Sequence, residues 1–139
     1  MAAQGFRVTK HYMGLNTAWR AEYTQGTGGR VIGINAEMDA LPAIGHGCGH
    51  NLIAISGVGV AIALKAALQA CPHTSGKIVL LGTPGNEFAF EFSPLQPLME
   101  LIPAEEAGGG KVILLDRGAY DDMDICIMFV SSGLILDVC

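Results

Sequence analysis

Three side chains able to bind a metal, His46, Cys48 and His50, fall within five residues in the run Gly45-His46-Gly47-Cys48-Gly49-His50-Asn51. Cysteine thiolate and imidazole suit zinc or a similar borderline ion, and glycines at 45, 47 and 49 let the backbone fold tightly around one. Just upstream, Glu37-Met38-Asp39-Ala40-Leu41-Pro42 places carboxylates beside the cluster. Asp39 can hold a coordinating histidine through its other ring nitrogen, or coordinate directly. Taken singly, each of these residues reads more simply as a satisfied turn histidine or a small buried thiol. The clustering and the glycine spacing are what point to a metal site. His11 and His73 stand alone and keep the simpler reading.

A second chemical feature is Pro103-Ala104-Glu105-Glu106-Ala107-Gly108-Gly109-Gly110, two adjacent carboxylates ahead of a glycine-rich turn. In hydrolysis at a metal, one carboxylate can bind the ion while the other takes a proton from the attacking water and delivers it to the leaving amine. By itself the pair is equally an exposed acidic step at a helix N-terminus. Two nucleotide-site patterns fail on spacing. Gly57-Val58-Gly59 is followed by Ile62 where a dinucleotide fingerprint needs a small residue, and Gly110-Lys111 has Glu105 and Val112 where a phosphate loop needs Gly and Ser or Thr.

The elements that must position these groups read as α/β. Aromatic and β-branched residues at 6–12, 17–23 and 30–36, separated by Gly-containing turns, predict three strands. Small and apolar residues over 51–70, with Lys65 and Gln69 marking one polar face, predict a helix buried in the core. The apolar run 77–82 predicts a strand inside a parallel sheet, residues 108–115 a second helix, and 124–129 another buried strand. The expected architecture is a partly parallel sheet with flanking helices. Both chemical motifs follow strands, where ligand groups collect in such sheets.

Composition narrows the function classes. Half of the residues are hydrophobic and only 15% charged, which excludes a disordered chain. With 8 Lys and Arg against 13 Asp and Glu, a net charge of −5 and no basic stripe, nucleic acid is not an expected partner. The apolar run 52–64 ends at Lys65, short of the roughly 20 residues that span a bilayer, so no membrane partner is expected either. Residues 1–10 show no secretory signal, and a cytoplasmic location with reduced thiols at Cys48, Cys71, Cys126 and Cys139 is expected. Cys71 and Cys126 have apolar neighbours and are expected inside the core.

Taken together, Glu37 to Pro42, Gly45 to Ile53, Gly82-Thr83-Pro84 and Ala104-Glu105-Glu106 with its glycines resemble the zinc aminoacylase and carboxypeptidase family, within it the amidohydrolase branch. The combination of Glu37 with Asn51 leans toward the dipeptidase and aminobenzoyl-glutamate hydrolase side. The resemblance implies an incomplete zinc-peptidase-like catalytic domain that hydrolyses amide bonds in dipeptides or N-acyl amino acids. It implies Cys48, His50 and Glu106 as metal ligands, Glu105 as general base and Asp39 as the supporting acid, with Zn2+ as cofactor and two ions in a complete enzyme. The alternative function is a non-catalytic metal-binding fragment or interaction module.

The resemblance treats residues 1–139 as a partial catalytic domain with two departures. An insertion at 85–103 separates Gly-Thr-Pro from Ala-Glu-Glu, and an atypical tail occupies 129–139 where relatives continue into further ligand segments. Retained introns account for both, since Val130-Ser131 can be encoded as a splice-donor sequence; a lineage-specific loop accounts for the first as well. The resemblance implies relatives that often oligomerise through a dimerisation domain, which is not expected within residues 1–139, and a small peptide or N-acyl amino acid is the expected partner.

Overall fold

The computed structural model describes residues 1–40, 45–46, 49–85 and 109–129. Strands β1 (Arg7–Lys10), β2 (Trp19–Gln25), β3 (Arg30–Glu37), β4 (Gly76–Thr83) and β5 (Ile125–Met128) form one sheet in the order β1-β2-β4-β3-β5. The β1-β2 and β2-β4 pairs are antiparallel, whereas β4, β3 and β5 run parallel. Helix α1 (His50–Ala70) connects β3 to β4, and the short helix α2 (Gly110–Asp116) precedes β5. The sheet is mixed and the fold α/β, as the sequence predicts.

Alternation along β4 separates two cores. Ile78 and Leu80 pack on one face with Ile34, Ala36, Phe6 and Ala61 of α1. Leu81 packs on the opposite face with Leu114 of α2, Leu15, Ala18 and Ala119. Successive side chains of a strand point to opposite faces, so the two helices cover opposite sides of the central strands. Gly57 brings α1 close: a Cβ there would stand 3.3 Å from Ala36 and 3.4 Å from both Ile34 and Leu80. Where the helix ends, Gln25 Nε2 lies within hydrogen-bond distance of the carbonyls of Leu68 (2.7 Å), Cys71 (3.1 Å) and Thr74 (2.9 Å), tying the end of β2 to the end of α1 and the turn after it.

Three expectations are corrected. α1 is not a buried core helix: only His50, Ile53, Gly57 and Ala61 are buried, while Leu52, Ile55 and Val60 are exposed. Its 21 residues also exceed the apolar run counted from the sequence, and it is long and apolar enough to cross a membrane by length and composition alone. β5 is an exposed edge strand rather than a buried one, because it lies outside β3 with no strand beyond it among the described residues. Cys71 and Cys126 are accordingly both exposed, one just past the end of α1 and one on that edge. The insertion at 85–103 falls outside the described residues except for Gly85, and the tail at 129–139 except for Phe129.

A charge network ties the segment after α2 to the antiparallel strands. Arg20, only 5% exposed, donates to Asp122 Oδ2 (2.5 Å), Glu22 Oε1 (3.2 Å), Tyr12 Oη (3.0 Å) and the Ala119 carbonyl (3.1 Å). Lys77 Nζ reaches Glu22 (2.7 Å) and Asp122 (2.9 Å), and Arg7 also pairs with Glu22. Burial acts to raise the Glu22 and Asp122 pKa values, but the hydrogen bonds and charges of these cations outweigh it and hold both carboxyls below their usual range. Both acids therefore stabilise the fold fully above about pH 4 and lose that contribution as pH falls through their lowered values. Arg20→Met is expected to cost about 3 kcal/mol at neutral pH, because it strips charge from a largely buried set. It should also flatten the loss of stability between about pH 5 and 2. Urea unfolding across that range checks both, and an unchanged acid slope would contradict the linkage.

Candidate functional site

The site lies at the carboxyl edge of the parallel strands, where sheets of this kind gather ligand groups. Register aligns Glu37 at the end of β3 with Thr83 of β4, and Asn35 with Met128 of β5. The amino ends of both helices reach the same edge. α1 begins at His50 after Gly49, whose φ of 74° lies in the left-handed region that glycine tolerates best. At Gly110, the first residue of α2, a Cβ would stand 2.4 Å from the Pro84 carbonyl oxygen, so the helix start is pressed against the end of β4.

Asp39 and His50 meet at this edge. His50 Nδ1 lies 2.9 Å from Asp39 Oδ1. A carboxylate accepts, so Nδ1 carries the shared proton. Nε2 faces Glu37 Oε2 at 3.5 Å, and Glu37 Oε1 pairs with Lys111 of α2. Glu37 and His50 are 6% and 9% exposed. Gly85 presses on the same spot, since a Cβ on it would come within 2.4 Å of the Asp39 Cβ.

Beneath these residues runs a buried polar chain. Tyr120 Oη donates to Asn35 Oδ1 (2.9 Å), Asn35 Nδ2 to Thr83 Oγ1 (3.3 Å), and Thr83 Oγ1 to the Ala36 carbonyl (3.4 Å). Burial, with Cys126 and Glu37 adding to it, pushes the Tyr120 phenol well above its usual range and keeps it a neutral donor. The chain fixes the strand ends that carry Glu37 and lead to Asp39.

Of the residues singled out in the sequence, Asp39 and His50 come together, and His46 is exposed with its carbonyl accepting from Gly49 N (3.1 Å). Cys48, Glu105 and Glu106 lie outside the described residues. Among the described residues no group of three or more His, Cys, Asp or Glu side chains forms a complete ligand set. The Asp39 carboxylate on one nitrogen of the His50 ring is the kind of contact that supports an imidazole in metal sites. Sequence reasoning missed Lys111 and Gly85. No local pattern signals an ion pair or a close approach between distant segments.

No family model matches the chain. Over 133 residues, 91% of the chain, it is 40% identical to a Mus musculus protein named Xaa-Arg dipeptidase, of which it covers 26%. A Homo sapiens protein of the same name is 36% identical over 136 residues, with 91% of this chain and 27% of that protein covered. A p-aminobenzoyl-glutamate hydrolase subunit of Escherichia coli (strain K12) is 28% identical over 144 residues, covering 91% and 25%. These relatives are hydrolases by name, two of them dipeptidases and one an aminobenzoyl-glutamate hydrolase subunit. The chain spans about a quarter of the length of the curated relatives it matches.

Proposed function

We propose that this chain carries part of the catalytic site of a metal-dependent hydrolase of amide bonds in dipeptides or N-acyl amino acids. The observation that carries the reading is the Asp39 to His50 contact of 2.9 Å at the carboxyl edge of the parallel strands. It stands in a chain whose relatives are named dipeptidase and hydrolase. Cys48, His50 and Glu106 would hold the ion, and a thiolate with an imidazole favours zinc. A bound divalent ion polarises the amide carbonyl and lowers the pKa of water. Asp39 fixes the tautomer and direction of the His50 ring. Glu105 takes a proton from the attacking water and returns it to the departing amine nitrogen.

Asp39→Asn tests this directly. An amide can offer its NH2 group instead of an oxygen to Nδ1, so the ring loses its fixed tautomer, and zinc affinity is expected to fall about 10- to 100-fold. Competition against a chromophoric chelator measures the change. Equal affinity in the two proteins would remove Asp39 from the site. The activity assay argued below separates this reading from a second one, a non-catalytic metal-binding module.

A further inference from the structure

Gly33 of β3 stands opposite Cys126 of β5, and two sulfurs converge on the space that a side chain at Gly33 would fill. A Cβ there would lie 2.2 Å from Met123 Sδ and 3.1 Å from Cys126 Sγ, so the two sulfurs are no farther apart than the sum of those distances. An ion held between two sulfurs by bonds of about 2.3 Å needs them roughly 4.6 Å apart, which a small adjustment of either side chain supplies. Cys126 is exposed, so solvent reaches the pair. A third sulfur shares the face, because Met128 stands two residues beyond Cys126 on the same strand. Its Sδ accepts from Asn35 Nδ2 at 3.4 Å, a weak bond that the amide can give up while still donating to Thr83 Oγ1. Methionine is unbranched and flexible enough to make that swing. Harder donors beside the cluster are engaged elsewhere. The Asp124 oxygens accept from Arg30 Nη1 and Val31 N, each at 2.7 Å, and the neutral Tyr120 phenol donates to Asn35.

We propose that Met123, Cys126 and Met128 form a binding site for a soft monovalent metal ion, Cu(I), on the sheet face that carries α2. Thiolate and thioether together select Cu(I). Zinc draws instead on thiolate, imidazole and carboxylate, and of these the cluster offers a single thiolate. Binding replaces the S–H bond of Cys126 with an S–Cu bond and releases the proton to solvent, with copper remaining Cu(I) throughout. The site takes no ligand from the strand edge at His50, so it stands or falls independently of the hydrolase reading.

The experiment follows individual thiols of the full chain. Alkylation by N-ethylmaleimide is mapped by peptide mass spectrometry in anaerobic buffer, with free Cu(I) set by a bathocuproine chelator. Cys126 is expected to be protected at Cu(I) concentrations where Cys71 still reacts, because the cavity that Cys71 borders is lined by no other sulfur. Protection of both thiols at the same concentration overturns the proposal. Zn2+ that protects Cys126 at concentrations as low as Cu(I) overturns it too, since the thiol would then be acting without the thioethers. Neither comparison needs a substitution. Met123→Leu and Met128→Leu conserve apolar volume, and each is expected to raise the Cu(I) concentration for half-protection of Cys126 on the order of tenfold, the double variant further. Half-protection unmoved in the double variant would show that Cys126 binds alone, and the three-sulfur site would be abandoned.

Discussion

Zinc content of the purified chain is expected to fall to background when Cys48 and His50 are both replaced by alanine. The two residues supply the thiolate and the imidazole of the proposed ligand set, the donors that distinguish a zinc site from a carboxylate cluster. His50 is also the donor whose direction is fixed, because Asp39 Oδ1 holds its Nδ1 at 2.9 Å and α1 anchors its backbone. Removing one ligand weakens a site. Removing both leaves Glu106 as the only proposed ligand, and a lone carboxylate retains no zinc through purification. Elemental analysis of the two proteins side by side decides the matter, and equal zinc in both would sink the assignment. The glycines at 45 and 49 would then be ordinary turn residues, each with a left-handed backbone that glycine accommodates.

The parts of the fold legible in the sequence are those whose pattern reflects local physics. β2 and β3 carry β-branched and aromatic residues between glycine turns, and α1 follows from an apolar run too long for a strand. β4 and β5 look alike as short apolar runs, yet β4 is the buried centre and β5 an exposed edge. Burial of a strand depends on its neighbours in the sheet, and that order is a property of the whole chain. The exposed face of α1 was hidden for a related reason: Lys65 and Gln69 mark a polar face only near its end, and the run 52–64, apolar or small apart from Ser56, shows no stripe by which its inner face could be chosen. At the site, Asp39 and His50 were readable because they are close in sequence and bracket a glycine-rich turn. Lys111 and the Arg20 network join segments far apart in the chain, which spacing cannot pair. The lean of Glu37 with Asn51 toward dipeptidases and aminobenzoyl-glutamate hydrolases agrees with the names of the relatives.

The 139-residue polypeptide is expected to hydrolyse dipeptides or N-acyl amino acids at a negligible rate, although it contains the proposed base. Catalysis requires Glu105 within hydrogen-bond reach of the attacking water, at roughly 2.6 to 3.2 Å, and a misplacement of about 1 Å can cost 100-fold. The segment 85–103 separates the end of β4 from the acidic pair in the sequence, so Glu105 does not directly follow the strand. The ligand count works in the same direction. Cys48, His50 and Glu106 together can satisfy one zinc with an open position, whereas a two-ion site shares its charge stabilisation across a larger donor set. A chimera that lacks 85–103 and is joined to the unmatched part of the mouse relative, about three quarters of its length, is expected to turn over substrate in a metal-dependent way. In the chimera, Glu105→Gln should lower kcat by about 100-fold or more while leaving zinc content intact, because the proton carrier is lost and the ligands are not. Metal-dependent turnover by the 139-residue chain itself, abolished by the same substitution, would show that one ion and a tethered base suffice, and the non-catalytic reading would be discarded.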